Sequence, residues 1–165
     1  MAATAYIALG SNLGDSRAAV LRAMEQLQEL SDQPLAKSSL METTPVDCPP
    51  GSPNFVNAIV GLMPRHDETP ESLLGKLQKL EKEFGRTPKK ILNESRALDL
   101  DIIAFGNEIR STPGLTLPHP RAHLRRFVLQ PLAEIAPELI LPGQSRAVSE
   151  LLRRLTSAEI VRKLS

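Results

Sequence analysis

Asp99 and Asp101 stand two residues apart in LDLDIIAFG, residues 98–106, a stretch that otherwise reads as a β-strand. Side chains alternate across a strand, so Leu98, Leu100 and Ile102 take one face while Asp99, Asp101 and Ile103 take the other. The two carboxylates therefore point the same way, with Cα atoms about 7 Å apart. Their face turns apolar at Ile103, followed by Ala104 and Phe105, so part of it should be covered. Like charges there would repel and lose hydration unless a cation lay between them. Carboxylate oxygens suit hard divalent metals, and Mg²⁺ is commonly held by one or two carboxylates with phosphate oxygens completing its shell.

Two basic segments bracket this pair. Residues 85–96, GRTPKKILNESR, carry four cations against one acid, and residues 117–127, LPHPRAHLRRF, carry three arginines, two histidines and no acid. Arginine matches phosphate oxygens in geometry as well as charge, so cations beside a carboxylate pair suit a compact polyanion. The familiar nucleotide fingerprints are missing: Gly10-Ser11-Asn12-Leu13-Gly14 lacks the P-loop and dinucleotide spacings and reads as a tight strand-to-helix turn. His66, His119 and His123 form no strong metal spacing. His119, inside a rigid Pro-His-Pro, reads as a hydrogen-bond donor to phosphate rather than as a nucleophile.

The elements that must hold these residues follow from periodicity. Residues 4–9 read as a first strand, and Asp15 caps a helix in which Leu21, Met24, Leu27 and Leu30 recur, widened by Val20 and Ala23, ending near Ser31. Strands are expected over 36–43 and 55–63. Thr69-Pro70-Glu71 opens a second helix with core residues Leu73, Leu77, Leu80 and Phe84, and Gly85 ends it. The aspartate strand comes next. The order β-α-β-β-α-β is that of a ferredoxin-like α+β sandwich with its helices on one side of the sheet. Shorter helices are expected over Val128–Ile135, with Pro131 in the first turn or at a kink, and over Val148–Leu155.

Bulk properties narrow the function classes. At 165 residues, 41% hydrophobic and 24% charged, the chain suits one soluble domain over 1–165. A formal net charge of +1 argues against a protein that lives on nucleic acid or on an anionic membrane. Cys48 is the single cysteine, which rules out an intrachain disulfide and fits a reducing cytoplasm. No segment reads as a signal peptide or a membrane span.

Six segments in order resemble the 6-hydroxymethyl-7,8-dihydropterin pyrophosphokinases of folate biosynthesis: AYIALGSNLGD (5–15), TTPV (43–46), PNFVNAIV (53–60), LEKEFGR (80–86), RALDLDII (96–103) and LTLPHPRAHLRRFVLQPLAEIAPEL (115–139). The resemblance implies transfer of the β,γ-pyrophosphoryl group of ATP to the hydroxymethyl oxygen of the pterin, leaving AMP, on a ferredoxin-like fold. It implies that Asp99 and Asp101 hold two Mg²⁺ ions and that Arg86 and Arg96 are cations of a closing loop. His119 and Arg125 would bind the nucleotide together with Lys89 and Arg96, and Gln78, Ile102 and Thr116 would line its pocket. Thr44, Pro45, Val46, Phe55, Asn57 and Phe127 fall where the family binds the pterin. A flat heterocycle can stack between Phe55 and Phe127 while the Asn57 amide donates and accepts at its edge. A monomer is expected, with pterin binding tightly only after MgATP, and with loops 45–53 and 86–96 ordering on binding.

The chain departs from the family pattern before Arg96. Leu92 stands where many members carry a charge, Asn93 where some carry an aromatic, Glu94 where many have glycine or alanine, and Pro88 where some have a further arginine, for which Lys89 would substitute. Three other readings of the sandwich are a small-molecule sensing module, an RNA-binding domain, and a degenerate pyrophosphokinase that keeps only pterin or nucleotide binding. A sensor has no use for paired strand carboxylates flanked by arginines. An aromatic content of 3% leaves few stacking platforms for RNA.

Overall fold

The computed structural model describes residues 3–44, 51, 53–85, 97–157 and 159–164. The chain runs β1 (Ala5–Ser11), α1 (Ser16–Gln28), β2 (Ala36–Lys37), β3 (Met41–Thr43), β4 (Phe55–Leu62), α2 (Pro70–Glu83) and β5 (Asp99–Phe105). A short hairpin follows, β6 (Arg110–Thr112) and β7 (Leu115–Leu117), then α3 (Arg126–Ile135), α4 (Val148–Arg154) and β8 (Val161–Lys163). The main sheet has the order β5-β1-β4-β3-β8 with antiparallel neighbours, and β2 pairs farther along β4. With β8 set aside, this is the ferredoxin-like order.

Local chemistry accounts for the helix starts. Asp15 Oδ1 accepts the Ala18 amide at 3.1 Å to open α1. At α2, Thr69 Oγ1 accepts the Ser72 amide at 3.0 Å and Ser72 Oγ accepts the Thr69 amide at 2.9 Å, with Pro70 in the first turn. The buried stripe of α1 is Val20, Ala23, Met24 and Leu27. Leu21, which its spacing assigned to that stripe, is 46% exposed, because it lies about 100° around the helix from Val20. Leu73, Leu77 and Leu80 are buried as expected, and Arg22 sits 4.6 Å above the ring of Phe84.

The sheet carries a core on each face. Ile7, Leu9, Leu62, Leu98, Leu100 and Ile102 pack with α1 and α2. Fully buried leucines such as Leu9, Leu27 and Leu77 each contribute ~1.5–3 kcal/mol relative to exposure. Ile59, Ile103 and Ala104 pack with α3 and α4 through Val128, Leu129, Leu132 and Val148. The two helices of the βαββαβ unit share one side as expected, and the additional tail helices cover the second face and make a third layer.

Three boundaries also differ from expectation. The strand over 36–43 is broken into β2 and β3, because Ser38 turns inward: its amide donates to the Ile59 carbonyl and its Oγ accepts the Ile59 amide, both at 2.9 Å. α3 begins two residues early, so Pro131 is mid-helix and buried rather than in the first turn. Finally, β1 runs on through Gly10 and Ser11, which pair with β4 on one side while Gly10 pairs with β5 on the other. Gly10 is therefore a strand residue, and the turn begins after it.

Candidate active site

The register of the sheet puts one row of side chains across three strands. Gly10 lies opposite Asp99 on β5 and opposite Asn57 on β4, and Ala8 lies opposite Asp101 and Ile59. Directly paired residues share a face, so the two carboxylates, a glycine, an alanine and a buried amide occupy one side of the sheet. That side is the one α3 and α4 cover farther along, at Ile59 and Ile103. Asp99 and Asp101 are half-buried, with the small residues Gly10 and Ala8 beside them on β1. A Cβ on Gly10 would come within 3.0 Å of Asn57 Nδ2 and 3.9 Å of Phe55 Cδ1, so the amide and the ring close over the glycine.

A bulge brings the basic segment to this row. The β1–β5 register slips between Tyr6 and Ile7, which leaves Ile103 as the extra residue on β5. Ile103 and Ala104 both enter the second core, and the Ile103 carbonyl accepts the His119 amide at 2.8 Å. His119 Nδ1 accepts the Arg121 amide at 3.2 Å, so the proton of the neutral ring sits on Nε2, a donor. Burial holds His119 below the usual histidine range, helped by Arg125 and Arg121 and opposed by Asp99. Arg125 opens α3 and lies 5.3 Å from the centroid of Phe127, with Asp101 and Asp99 among the charges acting on it. His119 and Arg125 thus both lie within the field of the Asp99 carboxylate.

The depressed His119 has a testable consequence. As pH falls below about 6.5, the ordinary histidine value, the unfolded chain takes up a proton before folded His119 does. Stability is therefore lost on acidification down to the folded pKa. His119→Gln should show a smaller drop in urea midpoint between neutral and mildly acidic pH than the unaltered chain.

The remaining expected site residues are placed less uniformly. Phe55 and Phe127 are half-buried, and Phe127 packs against the second core. Thr44 is exposed at the end of β3, its amide donating to the Ile160 carbonyl at 3.3 Å. Gln78 is exposed on α2, one turn before Glu81, beside the β5 edge rather than on the carboxylate face. Thr116 is exposed on β7. Ile102 turns its side chain away from the carboxylate face: it is 4% exposed within the α1/α2 core. Strand alternation turns its peptide group, like that of Leu100, to the outer edge of β5. Pro45, Val46, Arg86, Lys89 and Arg96 lie outside the described residues, as do Pro88, Leu92, Asn93 and Glu94.

This arrangement of residues coincides with a family-wide sequence pattern. Residues 6–137 match the model of the 7,8-dihydro-6-hydroxymethylpterin-pyrophosphokinase family. The chain belongs to that family. It is 38% identical over 160 residues to the 2-amino-4-hydroxy-6-hydroxymethyldihydropteridine pyrophosphokinase of Haemophilus influenzae, covering 96% of this chain and 97% of that one. It is 39% identical over 148 residues to the enzyme of the same name from Pseudomonas aeruginosa, covering 89% and 88%. The wild-type HPPK-DHPS of Plasmodium falciparum, crystallised with pteroate, superposes with a TM-score of 0.70 at 14% identity, over 93% of this chain and 42% of that one. At that identity the likeness speaks to the fold.

In this pyrophosphokinase family member, two polar groups that periodicity alone passed over support the site. Glu81 is 7% exposed on the core side of α2, and its Oε2 accepts the Leu100 amide at 2.8 Å. Among the described residues β5 is the edge strand, so the carboxylate serves an amide, between the two aspartates, that has no neighbouring strand there to bond to. An acid at i+4 from Leu77 within an apolar stripe was the available signal. Glu81→Leu should cost ~1–3 kcal/mol in urea denaturation by stranding that amide, and Glu81→Gln, which keeps an acceptor, less. Asn12, 1% exposed, donates from Nδ2 to the Pro53 carbonyl at 3.3 Å and ties the turn after β1 to the start of β4.

Proposed function

We propose that residues 1–165 act as one pterin pyrophosphokinase domain that transfers the β,γ-pyrophosphoryl group of ATP to the hydroxymethyl oxygen of 6-hydroxymethyl-7,8-dihydropterin, giving AMP and the pterin pyrophosphate. The observation that carries this reading is the row Asp99–Gly10–Asn57 with Asp101 beside it. Two carboxylates and an amide share one face, separated by a residue with no side chain, which supports reading the carboxylates as hard-metal ligands and the amide as the group that meets the heterocycle.

The carboxylate pair fits Mg²⁺: two oxygen donors on one face, with no third His, Cys, Asp or Glu grouped with them among the described residues, leave coordination positions for phosphate oxygens. When bound, Mg²⁺, two ions on this reading, supplies charge neutralisation on the triphosphate. The chain's own residues do the rest. His119, kept neutral, donates from Nε2 to a phosphate oxygen, and Arg125 adds a charge that the nearby Phe127 ring helps orient. Phe127 and Phe55 stack on the pterin, whose edge meets Asn57 and the segment Thr44, Pro45 and Val46. Gln78, Thr116 and the Ile102 backbone form the adenine side, and Arg86, Lys89 and Arg96 close over the phosphates. We further read the protein as a cytoplasmic monomer whose partners are these two small molecules; among the described residues no helix is long and apolar enough to cross a membrane.

Purified protein with ATP, Mg²⁺ and the hydroxymethyl pterin should give AMP and pterin pyrophosphate in equal amounts by chromatography, with no turnover when Mg²⁺ is chelated. A folded protein yielding neither product would sink the reading. Because metal, nucleotide and closing loop complete one site, calorimetry should show the pterin binding at least about tenfold more tightly with a nonhydrolysable ATP analogue and Mg²⁺ than without them. Equal affinities would contradict the cooperative part of the proposal.

A further inference from the structure

The Asn57 amide is held from both sides by residues outside the pocket's expected lining. Thr43, 3% exposed on β3, donates its hydroxyl to Asn57 Oδ1 at 2.7 Å. It lies opposite Phe55 in the ladder and so diagonal to Asn57 on the same face. On the other side Asn57 Nδ2 overhangs Gly10, where a Cβ would meet it at 3.0 Å. A rotated amide would give up the Thr43 hydrogen bond and turn Oδ1 toward Gly10. The hydroxyl therefore selects the orientation with the oxygen toward β3 and the nitrogen toward β1.

We propose, on the pterin reading of this pocket, that Thr43 is a positioning residue whose hydroxyl sets the orientation of the Asn57 amide and thereby the affinity for the heterocycle. The Thr43 bond uses one lone pair of Oδ1, leaving the other lone pair and both Nδ2 protons for the edge of a flat ring. Thr43 itself is too buried to touch that ring. Its contribution is to remove the alternative amide rotamer, so the bound geometry exists before the ligand arrives.

The test is calorimetric binding of the hydroxymethyl pterin, with a nonhydrolysable ATP analogue and Mg²⁺ present throughout. Thr43→Val, which replaces the hydroxyl with a methyl group, should weaken the pterin about tenfold while the analogue's own Kd changes less than about twofold. Thr43→Ser should restore pterin affinity to within about threefold of the unaltered chain. In an Asn57→Ala background, Thr43→Val should cost less than about twofold, because its partner is gone. Thr43→Ala removes the same hydroxyl and carries the same expectation should the valine variant not fold. A Thr43→Val protein that binds pterin as tightly as the unaltered chain overturns the proposal. So does a loss of the same size in the Asn57→Ala background, or an equal loss for the nucleotide analogue, either of which assigns Thr43 a structural role only. An unaltered chain that binds the analogue and no pterin is a different result, because it removes the pterin reading itself.

Discussion

Asp101→Asn is expected to lower kcat about a thousandfold while the folded protein survives intact. The substitution keeps the side chain's size, exchanges one acceptor oxygen for a donor NH2 and removes one of two charges that share a face of β5, opposite Ala8. A carboxylate that is a ligand for a hard cation should show its loss as weakened ion binding, so Mn²⁺ titration followed by electron paramagnetic resonance should report a lower affinity in the variant than in the unaltered chain. Asp101 is half-buried at the sheet surface, and stability in urea should change by less than ~1 kcal/mol. A variant with full turnover and unaltered Mn²⁺ affinity would show that the pair is a polar strand face and no more. Asp99→Asn should behave in the same way, and the double variant should be little worse than either single one, because two ligands of one centre act as a unit.

The second large effect is expected at Asn57. Asn57→Ala should raise the Kd for the pterin about a hundredfold, equivalent to ~2.7 kcal/mol, which corresponds to the loss of about two hydrogen bonds from a buried site. The nucleotide analogue should bind as before, since Asn57 lies on β4, separated by β1 from the carboxylate strand. Calorimetry with each ligand separates the two affinities. A variant that loses both equally would mean that Asn57 holds the end of the sheet together rather than reading a ring, and its Thr43 bond at 2.7 Å would then be structural.

These expectations rest on different parts of the physics. Every residue of the carboxylate pair was legible from alternation within nine residues, and its companion face at Leu98, Leu100 and Ile102 is buried as that alternation requires. The caps at Asp15 and Thr69 and the leucine stripe of α2 were equally local, because each depends on neighbours three or four residues away. The family pattern added residues that no local rule selects, among them Asn57 and Arg125, and it covers residues 6–137.

Contacts between residues far apart in the chain were not legible in this way. Gly10 read as the first residue of a turn, because nothing in its neighbourhood states that strands at Asn57 and Asp99 will flank it; cross-strand register alone makes it the floor of the site. Leu21 was drawn into the α1 stripe by its spacing from Met24 and excluded by the direction in which that helix packs. Glu81 was hidden by its apolar surroundings until the unprotected edge of β5 supplied the amide it accepts from. Local order along the chain thus fixes which groups exist, which face each takes and the family they signify. Which of them meet follows from the pairing of strands, because register, bulge and edge are properties of paired strands rather than of any one segment.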